Sequence, residues 1–429
     1  MNLVFAAIVL AAVLTAAVRQ IGWVPSEGAA APMEALSTSM VDSAAGSVEL
    51  ALGLVGVMTL FLGLMKVAEA GGLLTVIARL IRPLMTRLFP DVPAEHPAMG
   101  AMILNLSANA LGLGNAATPF GIRAMQELNR LNPHPGTATD AMALFLAVNT
   151  SGVTVLPTGV IALRAAAGSV DPAGILPTTL FATACSTLAA IAAAKLLSRL
   201  SRRGAPPGTA AAAAPPPPEA AAEAAPDVAG AYPLWVSLLT LAAVLALIPA
   251  TVAYGRAISP WIMPGLMAGF LIYGLCRRVR VYESFVDGAR EGFQVAVKII
   301  PYLVAILVAV GMLRASGAMD LMVGALGPWT AQVGLPAQAL PMALMRPLSG
   351  SGAFAILASV SNALAIGPDS YTGYLVSTLQ GCTETTFYVL AVYFGAVQVR
   401  RIRYALAAGL AADLAGVMAA VAACSYLLR

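Results

Sequence analysis

Residues 140–154 read Asp140-Ala-Met-Ala-Leu-Phe-Leu-Ala-Val-Asn-Thr-Ser-Gly-Val-Thr154, and residues 369–383 read Asp369-Ser-Tyr-Thr-Gly-Tyr-Leu-Val-Ser-Thr-Leu-Gln-Gly-Cys-Thr383. Aligned without a gap, the two stretches share the first Asp, the Gly near the end and the last Thr. Matches of glycine and polar residues weigh more than matches of Ala or Leu in an apolar chain. The pairing therefore indicates an internal repeat with an offset of 229 positions.

A second correspondence lies upstream in each copy, at a slightly different offset. Residues 97–115 fall opposite residues 341–359, and this alignment pairs Asn105 and Ser107 with Ser349 and Ser351. We expect these paired residues to occupy equivalent positions in the two copies.

The composition indicates a membrane protein. Only 10% of the 429 residues are Asp, Glu, Lys or Arg, against about 25% in soluble domains, and 59% are hydrophobic. Uncharged windows recur at about the ~20 residues that a helix needs to cross a bilayer. We predict an all-α, polytopic membrane protein in which seven clear spans are a minimum: 2–18, 48–65, 172–197, 233–253, 257–276, 299–315 and 404–428. No Lys or Arg precedes the first span, which favours a retained helix over a signal peptide.

Other apolar stretches are interrupted by Gly, Pro and amides: 97–118, 139–167, 336–366 and 370–398. Broken helices at membrane depth are tolerated where the freed backbone groups are buried or line a wet cavity, as in transporters. We therefore predict broken or re-entrant helices here. The amphipathic stretches 73–89 and 281–298 are expected to lie along the membrane surface.

A flexible Ala/Pro linker over residues 202–231, containing Pro215-Pro-Pro-Pro218, divides the chain into repeats 1–201 and 232–429. The positive-inside rule assigns the N-terminus, the linker and the basic cluster Arg400 to Arg403 to the cytoplasm. The stretch of repeat one that corresponds to this cluster, around Asp171, is expected outside. The repeats are therefore predicted to have inverted topology.

The richest polar cluster is Asn105-Leu-Ser-Ala-Asn-Ala-Leu-Gly-Leu-Gly-Asn-Ala-Ala-Thr-Pro119. Buried amides need partners, so this cluster is either part of a substrate site or a set of hydrogen bonds between helices. Thr118 followed by Pro119 predicts that a helix starts at Pro119. The substrate-binding candidates here are Asn105, Ser107, Asn109 and Asn115.

The repeated motif supplies further candidates: Asn149, Thr150, Ser151 and Thr154 in repeat one, and Gln380, Thr383 and Glu384 in repeat two. A carboxylate within an apolar stretch is costly, which makes Glu384 the candidate coupling-ion group. The alternative for Glu384 is a structural ion pair with Arg346. Arg346, with Ser349 and Ser351 at a third break, could bind a carboxylate or phosphate through its planar guanidinium or could neutralise Glu384.

Several other functions are disfavoured. The basic residues form no extended face for nucleic acid. The four cysteines are dispersed, and His96 and His134 sit beside prolines, so the sequence predicts no metal site, no cofactor and no catalytic residue. A loose Gly-x-Gly-x-x-Ala at residue 112 lacks the strand that a dinucleotide fold requires. We expect no enzyme activity.

The stretch Glu49 to Glu69 with Asn109 to Gly121 resembles bacterial spore maturation protein A. The stretch Ala339 to Gly352 with Gln380-Gly-Cys-Thr-Glu-Thr-Thr-Phe-Tyr388 resembles spore maturation protein B. Both are members of the nucleoside-recognition, or gate, group. The resemblance implies a fused A–B protein of the inner membrane with a transport-like core, and it supplies no established substrate.

We therefore hypothesise a secondary transporter or permease for a small polar or anionic solute, bound between the repeats. Its expected partners are the lipid bilayer and the solute, self-association into a homo-oligomer is left open, and nucleic acid is not expected. A non-transporting scaffold in envelope or spore maturation is the alternative. An intramembrane enzyme is third, since it would need two titratable groups in one cavity.

Overall fold

The structure is a computed structural model, which describes residues 2–25, 30–112, 114–152, 154–202, 232–363 and 366–428. Residues 203–231, almost the whole predicted linker, lie outside the described residues. The division into repeats 1–201 and 232–429 therefore stays a prediction.

The described residues form α-helices and no strand, apart from a single bridge between Thr137 and Arg401. The prediction of an all-α fold with broken helices is confirmed. The helices are α1 (Asn2–Ile21), α2 (Pro32–Ala70), α3 (Leu73–Leu88), α4 (Pro97–Ala110), α5 (Gly114–Arg130), α6 (Asp140–Thr150), α7 (Thr158–Ala166), α8 (Leu176–Arg202), α9 (Leu234–Cys276), α10 (Val281–Ala315), α11 (Ala318–Gln332), α12 (Leu340–Met345), α13 (Gly350–Ser361), α14 (Tyr371–Cys382), α15 (Thr386–Ala396) and α16 (Ala405–Leu428).

The helices α8 and α16 are each long and apolar enough to cross a membrane. A third span results if the segment 59–70 of α2 is counted together with α3, which is bent from it by 69°. Leu188 on α8 and Leu414 on α16 are largely exposed, as expected for side chains that face lipid. The chain is an integral membrane protein.

Equivalent helices of the two repeats run in opposite directions. In the pair formed by α2 and α10, Gly63 lies beside Phe285, whereas Gly311 lies beside Ser43. Residue numbers thus increase along α2 in the direction in which they decrease along α10, so the two helices are antiparallel. The absence of a side chain at Gly63 allows close contact, since an added Cβ would lie 2.7 Å from Phe285 Cε2.

The pair formed by α8 and α16 has the same antiparallel arrangement. Ser201, at the end of α8, accepts a hydrogen bond from Arg403 just before α16 begins (3.1 Å), and Ser186, near the middle of α8, donates to the Ala412 carbonyl of α16 (2.9 Å). Two antiparallel pairs of equivalent helices confirm the predicted inverted repeats.

Each repeat docks the tip of a helical hairpin on a helix break. In repeat one, the carbonyl of Ala110, at the tip between α4 and α5, accepts hydrogen bonds from the N–H groups of Val155 and Leu156 (3.0 and 3.3 Å). In repeat two, the carbonyl of Pro347, at the tip between α12 and α13, accepts from the N–H of Phe387 (3.0 Å). The break between α6 and α7 therefore corresponds to the break between α14 and α15, as the 229-residue offset predicts.

Three sequence-based expectations are wrong. The hairpin tips, at residues 110–112 and 346–349, do not match the alignment that pairs Asn105 with Ser349, because Asn105 precedes its tip and Ser349 caps the helix after its tip. The helix predicted to start at Pro119 begins at Gly114, since the turn is complete at Gly112. The stretch 281–298 is not a separate surface helix, because it continues into the next span as α10.

The ends of α9 lie close together. The N–H of Tyr232 donates to the carbonyl of Arg79 (3.3 Å), and the Tyr273 hydroxyl donates to the carbonyl of Gly71 (3.1 Å). A straight helix of this length would separate its ends by about 60 Å at ~1.5 Å per residue. The segment therefore returns to its starting side, which fits the two predicted spans 233–253 and 257–276.

Gly152 offers a test of the close approach between the breaks. Its φ is +88°, and an added Cβ would lie 2.9 Å from the Cys382 carbonyl oxygen. Gly136 has a similar φ of +80° with no atom within 4 Å, so it measures the backbone penalty alone. We expect Gly136→Ala to cost about 1–2 kcal/mol in unfolding free energy, and Gly152→Ala to cost about 1–3 kcal/mol more. Equal losses in denaturant titrations of the purified protein would contradict the contact.

Candidate functional site at the meeting point of the repeats

The broken helices of the two repeats meet tip to tip. The N–H of Glu384, just after α14, donates to the carbonyl of Thr150 at the end of α6 (2.9 Å). The helices contain 11 and 12 residues, so end to end they extend about 35 Å at ~1.5 Å per residue. This length matches the ~30 Å hydrocarbon core of a bilayer, so two such helices that begin at opposite faces are expected to meet near its middle.

The amides of repeat one form a closed, buried cluster. Asn149 donates to the side-chain oxygen of Asn105, and the Asn149 oxygen accepts from Asn109 (3.2 Å) and from the Tyr393 hydroxyl (3.4 Å). Asn105 also donates to Tyr393 (3.1 Å) and to the carbonyl of Ala117 (2.7 Å). These residues hold α4, α6 and α15 together.

The residues of this amide cluster differ in part from the predicted set. Tyr393 of repeat two completes the cluster by bonding to Asn105 and Asn149. The sequence did not predict this contribution, because a single tyrosine in an apolar helix carries no local pattern. The side chain of Asn115 lies outside the described residues.

The candidate hydroxyl groups of repeat one form hydrogen bonds with nearby backbone carbonyls and with one neighbouring side chain. Ser107 donates to the Ile103 carbonyl (2.7 Å), and Thr150 donates to the Ala147 carbonyl (2.9 Å). Ser151 donates to the Val148 carbonyl and shares a second hydrogen bond with Thr187, while Thr154 donates to the Gly152 carbonyl. The bonds of Thr150, Ser151 and Thr154 satisfy backbone carbonyls at the end of α6, where the helical pattern stops.

Arg346 is the buried cation of repeat two. Its side chain follows α12 and is only 6% exposed. Its two Nη atoms donate to the Thr385 hydroxyl (3.1 Å) and to the Thr383 carbonyl, and Nη2 lies 3.6 Å from a carboxylate oxygen of Glu384. Its Nε has no hydrogen-bond partner, although it is buried.

The remaining candidates surround this cation. Glu384 is 38% exposed, so the break is open on that side. Ser349 caps α13 by accepting from the Gly352 N–H (3.0 Å), and Ser351 is half-buried in the first turn. Gln380 is buried with its side-chain oxygen unpartnered, and Thr383 is buried beside Gly416.

The two repeats therefore contribute differently to the junction. Repeat two retains buried atoms without partners on Arg346, Gln380 and Asp413, which are charged or amide groups, whereas repeat one has such an atom on the hydroxyl of Thr179, beside Gly381. A guanidinium with a free donor beside a partly exposed break can bind a carboxylate or a phosphate. The other oxygen of Asp413 accepts a hydrogen bond from the Thr386 hydroxyl (2.7 Å).

Two pseudo-equivalent clusters, which we term the end clamps, join the repeats away from the junction. In the first, Arg164 donates to Asp369 (2.9 Å) and lies over the Tyr374 ring (4.3 Å). In the second, Arg403 donates to Asp140 (2.7 Å) and lies over the Tyr404 ring (5.1 Å). Asp140 begins α6, and Asp369 lies just before α14. The other end of each of these helices reaches the junction, so the two clamps lie at opposite ends of the molecule.

The buried Tyr404 supports the second end clamp through its hydroxyl group. Burial and the neighbouring Asp140 carboxylate raise the pKa of the Tyr404 phenol above its ordinary value, so the phenol remains a donor to Asp140 (2.8 Å). The sequence analysis did not name Arg164 as a candidate. Its position as a cation within the apolar stretch 158–166 already indicated that it would need a buried anionic or polar partner.

The amide cluster should contribute measurably to stability. Asn149→Ala leaves the Asn105 oxygen and the Asn109 donor buried without a partner, at about 1–3 kcal/mol each. We therefore expect a loss of about 2–6 kcal/mol in unfolding free energy. Asn362→Ala, at an exposed helix end, is the matched control. A loss at Asn149 no greater than that at Asn362 would mean that the amides do not support one another.

The chain matches the family model described as Gate: Nucleoside recognition over residues 51–167 and 296–400. It is 48% identical over 160 residues to spore maturation protein B of Bacillus subtilis, covering 37% of this chain and 88% of the relative. It is 44% identical over 159 residues to spore maturation protein A of the same organism, covering 37% of this chain and 81% of the relative.

Two further similarities are weaker. Inner membrane protein YjiG of Escherichia coli is 33% identical over 103 residues, which cover 24% of this chain and 64% of YjiG. Among solved structures, the YdaH transporter of Alcanivorax borkumensis aligns over 99% of this chain and 98% of its own, with 17% identity and a TM-score of 0.39. A TM-score this low does not establish a shared fold.

Proposed function

The chain belongs to the Gate family of nucleoside-recognition domains, and on that premise we propose that it is a secondary transporter or permease for a small polar or anionic solute. The solute site lies between the two inverted repeats, near the middle of the membrane. The protein is not an enzyme, and its partners are the lipid bilayer and the solute.

The proposal depends on Arg346. A cation is costly at membrane depth and marks a substrate or ion pathway unless it is fully paired. Arg346 keeps one buried donor free, and its carboxylate neighbour is 3.6 Å away and partly exposed. An anionic solute that displaces Glu384 would gain a charge-assisted hydrogen bond to this donor set. Glu384 then acts as the resident counter-ion of Arg346 in the empty site.

We place the protein in the bacterial inner membrane with its N-terminus and linker in the cytoplasm. The relative YjiG is an inner membrane protein, which supports the location. The basic clusters at the end of α8 and before α16 support the sidedness, because Lys and Arg accumulate in cytoplasmic loops.

A membrane scaffold in envelope or spore maturation is the second candidate. The closed amide cluster favours it, since mutually hydrogen-bonded amides at a junction need no solute to satisfy them. The names of the two Bacillus subtilis relatives agree with such a role. The candidates differ in whether the junction of the repeats binds a small molecule.

The experiment is a thermal-shift screen of the purified full-length protein against nucleosides, nucleoside monophosphates, small dicarboxylates and divalent metals. Hits are then tested for uptake into proteoliposomes. A ligand at 100 times its Kd should stabilise the folded state by about 2.7 kcal/mol. We expect anionic compounds to give the largest shifts and to be taken up. Stabilisation by none of these compounds, with no uptake, would favour the scaffold.

A further inference from the structure

Asp413 is a buried carboxylate at membrane depth that the proposed solute site does not use. It is the single charged residue of α16, one of the two helices that qualify as spans by length and composition. Its side chain is 6% exposed and faces the interior. Gly409 and Gly416 flank it by about one turn and bring α16 against the breaks, since a Cβ on Gly416 would lie 2.7 Å from Thr383.

The carboxylate is only half satisfied. One oxygen accepts from the hydroxyl of Thr386, the first residue of α15, at 2.7 Å. The other oxygen is buried and has no hydrogen-bond partner. No ion pair within 4.0 Å joins Asp413 to a basic side chain of the described chain.

The surroundings of Asp413 contain few other ionisable groups. The side chains that interact with it electrostatically are Arg346, which follows α12, and the buried thiol of Cys382 on α14. From α8 and α6, the neutral residues Ser186 and Thr150 face the same stretch of α16.

The charges at the junction do not balance when all groups are ionised. Arg346, Glu384 and Asp413 surround the break 383–386, which gives two carboxylates for one guanidinium. Arg346 lies against Glu384 and directs both Nη atoms to Thr383 and Thr385. This net charge of −1 makes any further negative charge in the membrane interior costly, and a proton on the unpartnered oxygen of Asp413 offsets that further charge.

We infer that Asp413 is the proton-binding group of this protein and that its protonation is coupled to occupation of the Arg346 site. The inference rests on the proposed function. When an anionic solute joins Arg346, local negative charge increases and Asp413 takes up one proton, forming an O–H bond at its free oxygen. When the solute leaves, the O–H bond breaks and the proton returns to water on the other side.

This assignment gives Glu384 a different role from the coupling role that the sequence alone favours. Glu384 is partly exposed and lies 3.6 Å from Arg346. Asp413 is buried and lacks a paired cation. Comparing Asp413→Asn with Glu384→Gln therefore separates the two carboxylates.

The first test is independent of transport. Infrared difference spectra of the purified full-length protein, recorded between acidic and alkaline buffer, report the C=O stretch of protonated carboxyl groups. We expect Asp413→Asn to remove a band that Glu384→Gln and the exposed control Asp320→Asn both retain, and Asp413→Glu to shift it. If the band is unchanged in Asp413→Asn, the inference is wrong, whatever the outcome of the uptake experiments.

The second test uses proteoliposomes loaded with a solute that the wild-type protein transports. We expect Asp413→Asn to lose accumulation driven by a pH gradient while retaining exchange of labelled for unlabelled solute. Accumulation by Asp413→Asn at the wild-type level would overturn the inference. A wild-type protein that transports nothing would instead count against the proposed function, because the infrared band would still report the proton site.

Discussion

Arg346→Gln is expected to abolish solute uptake and to remove ligand-induced thermal stabilisation. The substitution deletes the buried cation at the junction of the repeats and leaves Glu384 without its partner. A hydrogen bond to a charged group contributes about 1.5–3 kcal/mol, so the loss of one alone lowers affinity by roughly 10- to 150-fold. The measurement is uptake by proteoliposomes together with the thermal shift that a hit compound produces.

Two further variants make this prediction specific. Arg346→Lys keeps the charge but loses the planar donor set, so we expect weak binding that the wild-type ligand concentration does not saturate. Arg290→Gln removes a guanidinium from an exposed pair with Asp287 and should leave uptake unchanged. Wild-type uptake by Arg346→Gln would remove Arg346 from the site.

Arg164→Leu is expected to cost about 3–5 kcal/mol in unfolding free energy, because it leaves Asp369 and several carbonyl groups without their donor. Arg164 is 0% exposed and donates to six groups. Three of these groups belong to residues 368–377 of the other repeat, so this end clamp fastens the repeats to each other. Denaturant titration of the purified protein measures the loss.

The other end clamp supplies the internal comparison. Arg403 and Asp140 are both partly exposed, so Arg403→Leu should cost less than Arg164→Leu. Arg290→Leu, on the surface, should change stability by no more than about 0.5 kcal/mol. Equal costs at Arg164 and Arg290 would mean that the clamp contributes nothing to the association of the repeats.

The sequence predicted the architecture where local signals were strong. The repeat of Asp, Gly and Thr at an offset of 229 identified both helix breaks, because a break at membrane depth requires glycine and side-chain partners for the freed backbone groups. The alternative of an ion pair between Arg346 and Glu384 followed from their positions in such breaks, and the two side chains lie 3.6 Å apart. The amide-rich stretch predicted a polar cluster, and Asn105, Asn109 and Asn149 do meet.

The remaining features depend on contacts between residues distant in the chain. Arg164 and Asp369 are 205 positions apart, and Tyr393 reaches Asn105 across 288 positions. No local pattern encodes such pairs. The error at Pro119 has a similar cause: the Thr-Pro capping signal is local, whereas the start of α5 is set by the tight turn at Gly112 against the Leu156 carbonyl.

The central claim is that the two repeats have opposite orientations in the membrane. Single cysteines at Val170, which is 94% exposed beside one end clamp, and at exposed Arg400, beside the other, test it in a background without the four native cysteines. In intact cells, a membrane-impermeant maleimide should label the cysteine at 170 and should label the cysteine at 400 only after the cytoplasmic face is opened. Labelling of both positions from the same side would contradict the inverted arrangement and the site derived from it.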